Sequence, residues 1–267
     1  MRRLLLFLFL GVLAASPGAF SAQVTIRQDE KGFRVQAAGY EAMVTKDGCF
    51  TGLQVGGFEF IDSRVSRGAY FYEKSTLTIP DVTQPAENVI EAKSDKASAR
   101  YEFGPESMTW TLTNLTAGKL LFIIVLDPAI GAAMSGRGEF EKVPAELRWQ
   151  TSTWFREKAN VRITGSTRLW GPWSGNHAVW QADLGPNETR KVTFEMGKAT
   201  DDQIAEAARV ATAPPPPPPT DPVGPMWDMA KLSIAPKSFP AEGFQEEGVR
   251  ALFYEGVPYR GKPTRVF

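Results

Sequence analysis

Residues Gly39–Ile61 read GYEAMVTKDGCFTGLQVGGFEFI, and the fold class turns on this stretch. Tyr40, Ala42 and Val44 alternate with polar or outward positions, as a half-buried strand requires. Lys46-Asp47-Gly48 follows as a turn, because Asp-Gly supplies the positive φ of a tight hairpin. Leu53 and Val55 make a second short strand, Gly56-Gly57 break it, and Phe58–Phe60 begin a third. This is a β-meander, and short strands of the same kind recur downstream.

On either side the pattern holds. Val24–Gln28 and Phe33–Ala37 form a first hairpin. Tyr70–Tyr72 and Thr76–Ile79 are short β-rich pieces, and Pro80 and Pro85 stop the ladder there. Val89–Lys93 and Ala99–Phe103 come next. Met108–Thr113 sets apolar residues on one face and threonines on the other, and Leu120–Leu126 is apolar throughout, as a strand covered on both faces should be. Gly131–Gly138 reads as a flexible loop. Glu146–Phe155, Val161–Thr164, Thr167–Trp170, Ala178–Leu184 and Arg190–Met196 complete the set. The expected fold is all-β, a large antiparallel sandwich over 22–212.

One helix closes that domain. Thr200 and Gln203 have capping-box spacing, Asp201 and Asp202 suit the positive end, and Ile204, Ala207, Ala208 and Ala211 supply a narrow apolar stripe. Residues 213–225, with prolines at 214–219, read as an extended linker. The tail, 226–267, regains strand character at Val249–Tyr254 and Thr264–Phe267, with a turn at Gly256-Val257-Pro258.

The start of the chain carries an export signature. Met1-Arg2-Arg3 is basic, Leu4–Ala15 is apolar, and Ala19 and Ser21 suit cleavage after Ser21, giving a signal peptide over 1–21. The expected location is periplasmic or extracellular; an uncleaved anchor is the alternative. After cleavage no later run approaches the roughly 18 apolar residues of a membrane span. Thirty basic residues balance thirty acidic ones, so the chain lacks the concentrated positive charge that nucleic acids demand. The single cysteine, Cys49, excludes an internal disulfide and reads as a buried apolar residue.

No nucleophile elbow, phosphate-binding glycine loop, zinc-binding histidine pair or cysteine cluster occurs, so no catalytic residue, metal or cofactor is assigned. The one histidine, His177, lies in the loop Trp170-Gly171-Pro172-Trp173-Ser174-Gly175-Asn176-His177. It suits either a general base or a loop histidine with its hydrogen bonds satisfied. Tryptophans crowd positions 149 to 180, accompanied by Arg148, Arg156, Arg168 and Asn176. An indole face packs against the C–H face of a sugar ring while neighbouring polar groups bond its hydroxyls. Trp154, Arg168, Trp170, Trp173, Asn176 and His177 are therefore the candidate carbohydrate-binding residues, whereas Trp149 and Trp180 alternate as core positions. Asn114-Leu115-Thr116 and Asn187-Glu188-Thr189 fit the glycosylation pattern.

Two resemblances add to this. Residues 24–200, led by the Gly39–Ile61 meander with its turn glycine Gly48 and its Val-Gly-Gly hairpin, resemble galactose mutarotase-like sandwiches and related accessory domains of polysaccharide-active enzymes. Such enzymes use histidines and a glutamate, and one histidine here matches no such set. Residues 248–267, GVRALFYEGVPYRGKPTRVF, are similar to the lead-in strands of secreted acetyl-xylan-esterase-like α/β-hydrolases. Together they imply the front part of a sandwich–linker–esterase protein that binds a polysaccharide, its hydrolase domain lying beyond this chain. A structural docking domain and a sugar epimerase or lyase are the alternatives.

Overall fold

A computed structural model describes residues 24–214 and the backbone of 254–259 and 262–266. The expected signal peptide, nearly all of the proline-rich linker and most of the tail lie outside the described residues.

The chain begins in one sheet. β1 (Thr25–Gln28), β2 (Gly32–Gln36), β3 (Tyr40–Thr45), β4 (Phe50–Val55), β5 (Phe58–Glu59) and β6 (Ala69–Tyr72) follow the expected meander. Gly48, at φ +78, makes the β3–β4 turn, and Gly56 and Gly57 make the next at +59 and +85. The chain then crosses to a second sheet with β7 (Asp81–Ala86), β8 (Val89–Lys93), β9 (Ala97–Phe103) and β10 (Ser107–Asn114). β11 (Leu120–Val125) returns to the first, while β12 (Ala132–Ser135), β13 (Phe140–Lys142), β14 (Thr151–Arg156) and β15 (Ala159–Thr164) build the second. β16 (Arg168–Trp173) and β17 (His177–Leu184) finish the first sheet, and β18 (Thr189–Lys198) inserts between β15 and β10. Each sheet has nine strands, and all their pairings are antiparallel.

The sheets face one another across an aromatic core. Trp110 of β10 lies 4.5 Å from Phe50 and 5.7 Å from Phe122 on the opposite sheet, and 4.2 Å from Phe194 beside it. Alternation does the sorting: on β6, Ala69 and Phe71 point into this core while Tyr70 and Tyr72 point away.

Three local expectations are corrected. Pro85 does not stop a ladder; it lies inside β7, where the register slips between Thr83 and Ala86. β7 is an edge strand, the place where a missing N–H is tolerated. The stretch 131–138 is no loop, since Ala132–Ser135 pairs with both β13 and β14. Thr76–Ile79 contributes only an isolated bridge from Thr76 to Tyr72.

α1 (Asp201–Thr212) has the full capping box: Thr200 Oγ1 accepts from Gln203 N, and Gln203 Oε1 accepts from Thr200 N. Ala207 and Val210 are its buried residues, joining Ala132 and Phe155 in a small cluster. Ala208, expected on that stripe, is exposed instead. Lys142 Nζ donates to the Ala213 carbonyl at 2.8 Å, tying the helix end to β13. Asn114 is fully buried, its amide donating to the Gly118 and Gly185 carbonyls at 2.7 and 2.8 Å. That amide nitrogen is therefore not open to glycan attachment in the fold; Asn187 is exposed.

The tail is a separate unit. β19 (Tyr254–Tyr259) pairs antiparallel with β20 (Lys262–Val266). Gly256-Val257-Pro258 thus lies within a strand rather than at a turn.

Candidate functional site

The outward face of the first sheet is where the sequence candidates gather. Pairing between β6, β11, β17 and β16 sets Tyr70, Ile123, Gln181 and Arg168 in one row across four strands. Val125, Val179 and Trp170 form the row beside it, and Tyr72, Leu121 and Asp183 the row on the other side. Because β alternation has period two, the same strands that bury Phe71, Phe122 and Trp180 present this second set outward.

Gln181 organises the polar half. Its Oε1 accepts from Trp170 Nε1 at 3.0 Å and from Arg168 Nη2 at 3.1 Å, and its amide donates to Asp183 Oδ1. The Arg168 guanidinium stands 5.6 Å from the Trp170 ring centroid, a cation–π contact. Lys119 Nζ donates to Asp183 Oδ2 at 2.7 Å. Burial opposes ionisation of Asp183, but the hydrogen bonds from Lys119 and Gln181 outweigh it and hold the carboxyl below its ordinary range.

The apolar half is a second small core of Cys49, Tyr70, Ile123, Val125 and Val179, with Trp170, Trp173, Tyr72 and Leu121 partly exposed against it. Burial pushes the Cys49 thiol up to about 11, as expected of a packed residue rather than a nucleophile. The β16–β17 hairpin that carries the tryptophans bulges between Trp170 and Trp173. Gly171 permits this: a Cβ there would sit 2.6 Å from Pro144 Cβ and 2.8 Å from the His177 carbonyl oxygen. Ser174 and Gly175, at φ +42 and +89, turn the tip.

His177 pins the loop. Its Nδ1 donates to the Ser174 carbonyl at 2.8 Å, and its Nε2 lies 2.9 Å from Asp62 Oδ2. Asp62 also accepts from Arg64 Nε and Nη2 at 2.9 and 2.8 Å. Arg64 reaches on to Asp127, and Arg156 of the second sheet closes the chain with a 2.7 Å ion pair to Asp127 and a 2.9 Å bond to the Glu59 carbonyl. The Arg64 hydrogen bonds hold the Asp62 carboxyl far below the usual range; burial pushes the other way, and the Arg64 amide and His177 add to the lowering. With both ring nitrogens engaged and His177 only 6% exposed, the imidazole has no free position from which to take a substrate proton.

The six candidates therefore divide. Arg168, Trp170 and Trp173 share the outward face, Asn176 is exposed at the hairpin tip, and His177 is buried beneath it. Trp154 is corrected to a core residue: it is 1% exposed, and its indole N–H donates to the Ser152 hydroxyl. Trp180 is core as expected, and Trp149 is partly exposed at its margin. The same face also carries Tyr72, Gln181 and Asp183, with Lys119 bonded to Asp183, none of them among the six candidates. Period two along β17 puts Gln181 and Asp183 on the face opposite Trp180, but nothing local shows which strands lie beside β17. Among the described residues no group of three or more His, Cys, Asp or Glu side chains could hold a metal ion.

No family model matches the chain, and no curated protein matches it. Solved structures with a similar arrangement include an Escherichia coli K12 protein assigned as an aldose 1-epimerase. It is 10% identical, covering 66% of this chain and 100% of its own, with a TM-score of 0.43. A Salmonella typhimurium protein assigned as a mutarotase is 8% identical over 66% of this chain and 94% of its own, with a TM-score of 0.42. An α-N-acetylgalactosaminidase of Bifidobacterium bifidum is 10% identical over 66% of this chain and 38% of its own, with a TM-score of 0.46. These likenesses assign neither a reaction nor a residue to this chain, whose fold class rests on its own two nine-stranded antiparallel sheets.

Proposed function

We propose that this chain is an exported carbohydrate-binding sandwich that holds a glycan on the outward face of its first sheet and performs no chemistry itself. The observation that carries the reading is that Trp170 and Trp173, both partly exposed, share one face with the Arg168–Gln181–Asp183–Lys119 hydrogen-bond row, Trp170 being bonded to it directly. A sugar ring offers an apolar face and a hydroxyl rim, and this surface supplies a counterpart for each. The esterase pairing rests on the resemblance of 248–267 alone. In it the sandwich would keep an acetylated polysaccharide near a hydrolase domain, and this chain alone should cleave no acetyl ester above background.

Affinity electrophoresis of the purified chain in gels cast with an uncharged xylan, mannan or β-glucan tests the binding claim. Retardation by at least one polymer, lost in Trp170→Ala and Asp183→Asn with melting temperature nearly unchanged, is expected. Free migration in every gel overturns it. A docking role without a small ligand is the competing reading, favoured by Tyr72 and Leu121, which remain partly exposed on the same face.

A further inference from the structure

Outside that platform, a cleft of about 440 Å³ opens between the β12–β13 turn and the segment leading into β14, lined in part by Ser135, Arg137, Glu139, Arg148, Trp149 and Gln150. Most arginines of the sandwich are spoken for: Arg64, Arg100, Arg156 and Arg190 each hold a carboxylate. Among the described residues, neither Arg137 nor Arg148 has a carboxylate within ion-pair distance, and both line this one cleft. Two exposed guanidiniums against the single acid Glu139 leave the lining with a surplus of positive charge.

The frame around them is built, not loose. Ser135, 5% exposed, accepts at its hydroxyl from the amides of Arg137 and Glu139, each at 3.2 Å, so the turn carrying Arg137 is braced from within. On the other wall, Leu147 and Leu169 exchange backbone hydrogen bonds of 2.8 and 2.7 Å, fixing the residue before Arg148. The Gln150 carbonyl accepts from Gly165 N at 2.9 Å, and the Ser166 hydroxyl donates to the Trp149 carbonyl. Trp149 is partly exposed and lines the charged cleft while packing on the main core.

We infer that this cleft is a second glycan site, for a sugar ring that bears a carboxylate. A guanidinium is planar and meets a carboxylate with two parallel hydrogen bonds, while the indole receives the ring and the Gln150 amide a hydroxyl. The inference extends the carbohydrate reading of this domain to a separate surface and a separate ligand class, the uronates.

The experiment uses the whole chain, titrated calorimetrically with oligogalacturonate, its carboxyl-reduced counterpart, neutral xylo-oligosaccharide and inorganic phosphate. Oligogalacturonate should bind and the reduced form should not. Arg137→Gln and Arg148→Gln should each weaken that binding on the order of tenfold, since a hydrogen-bonded charge pair is lost. Both arginines are exposed, so the variants should keep the melting temperature of the parent. Trp170→Ala and Asp183→Asn should leave uronate binding intact, which separates this site from the platform. Failure of xylo-oligosaccharide alone would count against the platform and not the cleft. Equal binding of the reduced oligomer, binding of phosphate without uronate, no uronate binding, or full affinity in the double arginine variant would each overturn the inference.

Discussion

His177 Nε2 and Asp62 Oδ2 lie 2.9 Å apart although 115 residues separate them in sequence, and both side chains are buried. This contact joins the tryptophan hairpin to the loop after β5, and through Arg64, Asp127 and Arg156 to the second sheet. Removing the carboxylate leaves the imidazole Nε2 without its partner and the Arg64 guanidinium with only its longer contact to Asp127. Asp62→Ala should therefore cost about 3 kcal/mol, the lower end for a broken buried pair, because the Arg64 side chain is 71% exposed and water can replace part of what it loses. Urea denaturation measures this. A change below about 0.5 kcal/mol, as at an ordinary surface site, would show that the network does not brace the fold.

The same carboxyl sets an acid dependence. Its folded-state pKa lies well below the value of about 3.9 for an unfolded aspartate. The stability it contributes is therefore fully present above that pH and is lost as the pH falls toward the folded value. Other lowered carboxyls, such as Asp183 and Glu188, remain in both parent and variant, so their contributions cancel from the comparison. Stability of the parent should decline more steeply than that of Asp62→Asn between about pH 4 and pH 2. Parallel curves would contradict the assignment.

Two tryptophans should respond oppositely to truncation. Trp154→Ala empties a site that is 1% exposed and should destabilise the sandwich by about 3–5 kcal/mol. Trp170→Ala removes a partly exposed ring and should cost far less while abolishing glycan retention. Thermal melts beside affinity gels distinguish the two, and an equally large loss at Trp170 would return it to the core.

Thr200→Ala should fray the start of α1. The hydroxyl's bond to Gln203 N at 3.2 Å disappears, at a cost of about 1 kcal/mol. Hydrogen exchange should quicken at the first-turn amides of α1 and stay unchanged in β10 and β18. Uniform acceleration would mean the helix and sheets open together.

Much of the sandwich was legible from residue order. Tyr40–Val44, Met108–Thr113 and Val192–Met196 alternate cleanly because each strand has one face against the core, and such periodicity is local information. The edge at β7 was not legible, since Pro85 reads as a breaker until the strand is known to have a free side. β12 was hidden for another reason: three of the four residues in Ala132–Ser135 are small, and the strand draws its character from partners on both sides.

For the candidate site, sequence alone settled that the strands exist, that tryptophan and arginine crowd one region, and that no standard catalytic constellation accompanies them. Only the folded chain decided which of those aromatics face water. Trp154 and Trp170 look alike along the chain, yet one fills the core and the other sits on the outward face beside Gln181. The reason is that strand pairing and the packing of one sheet on another are long-range choices, and the side of a strand that meets solvent depends on partners remote in sequence.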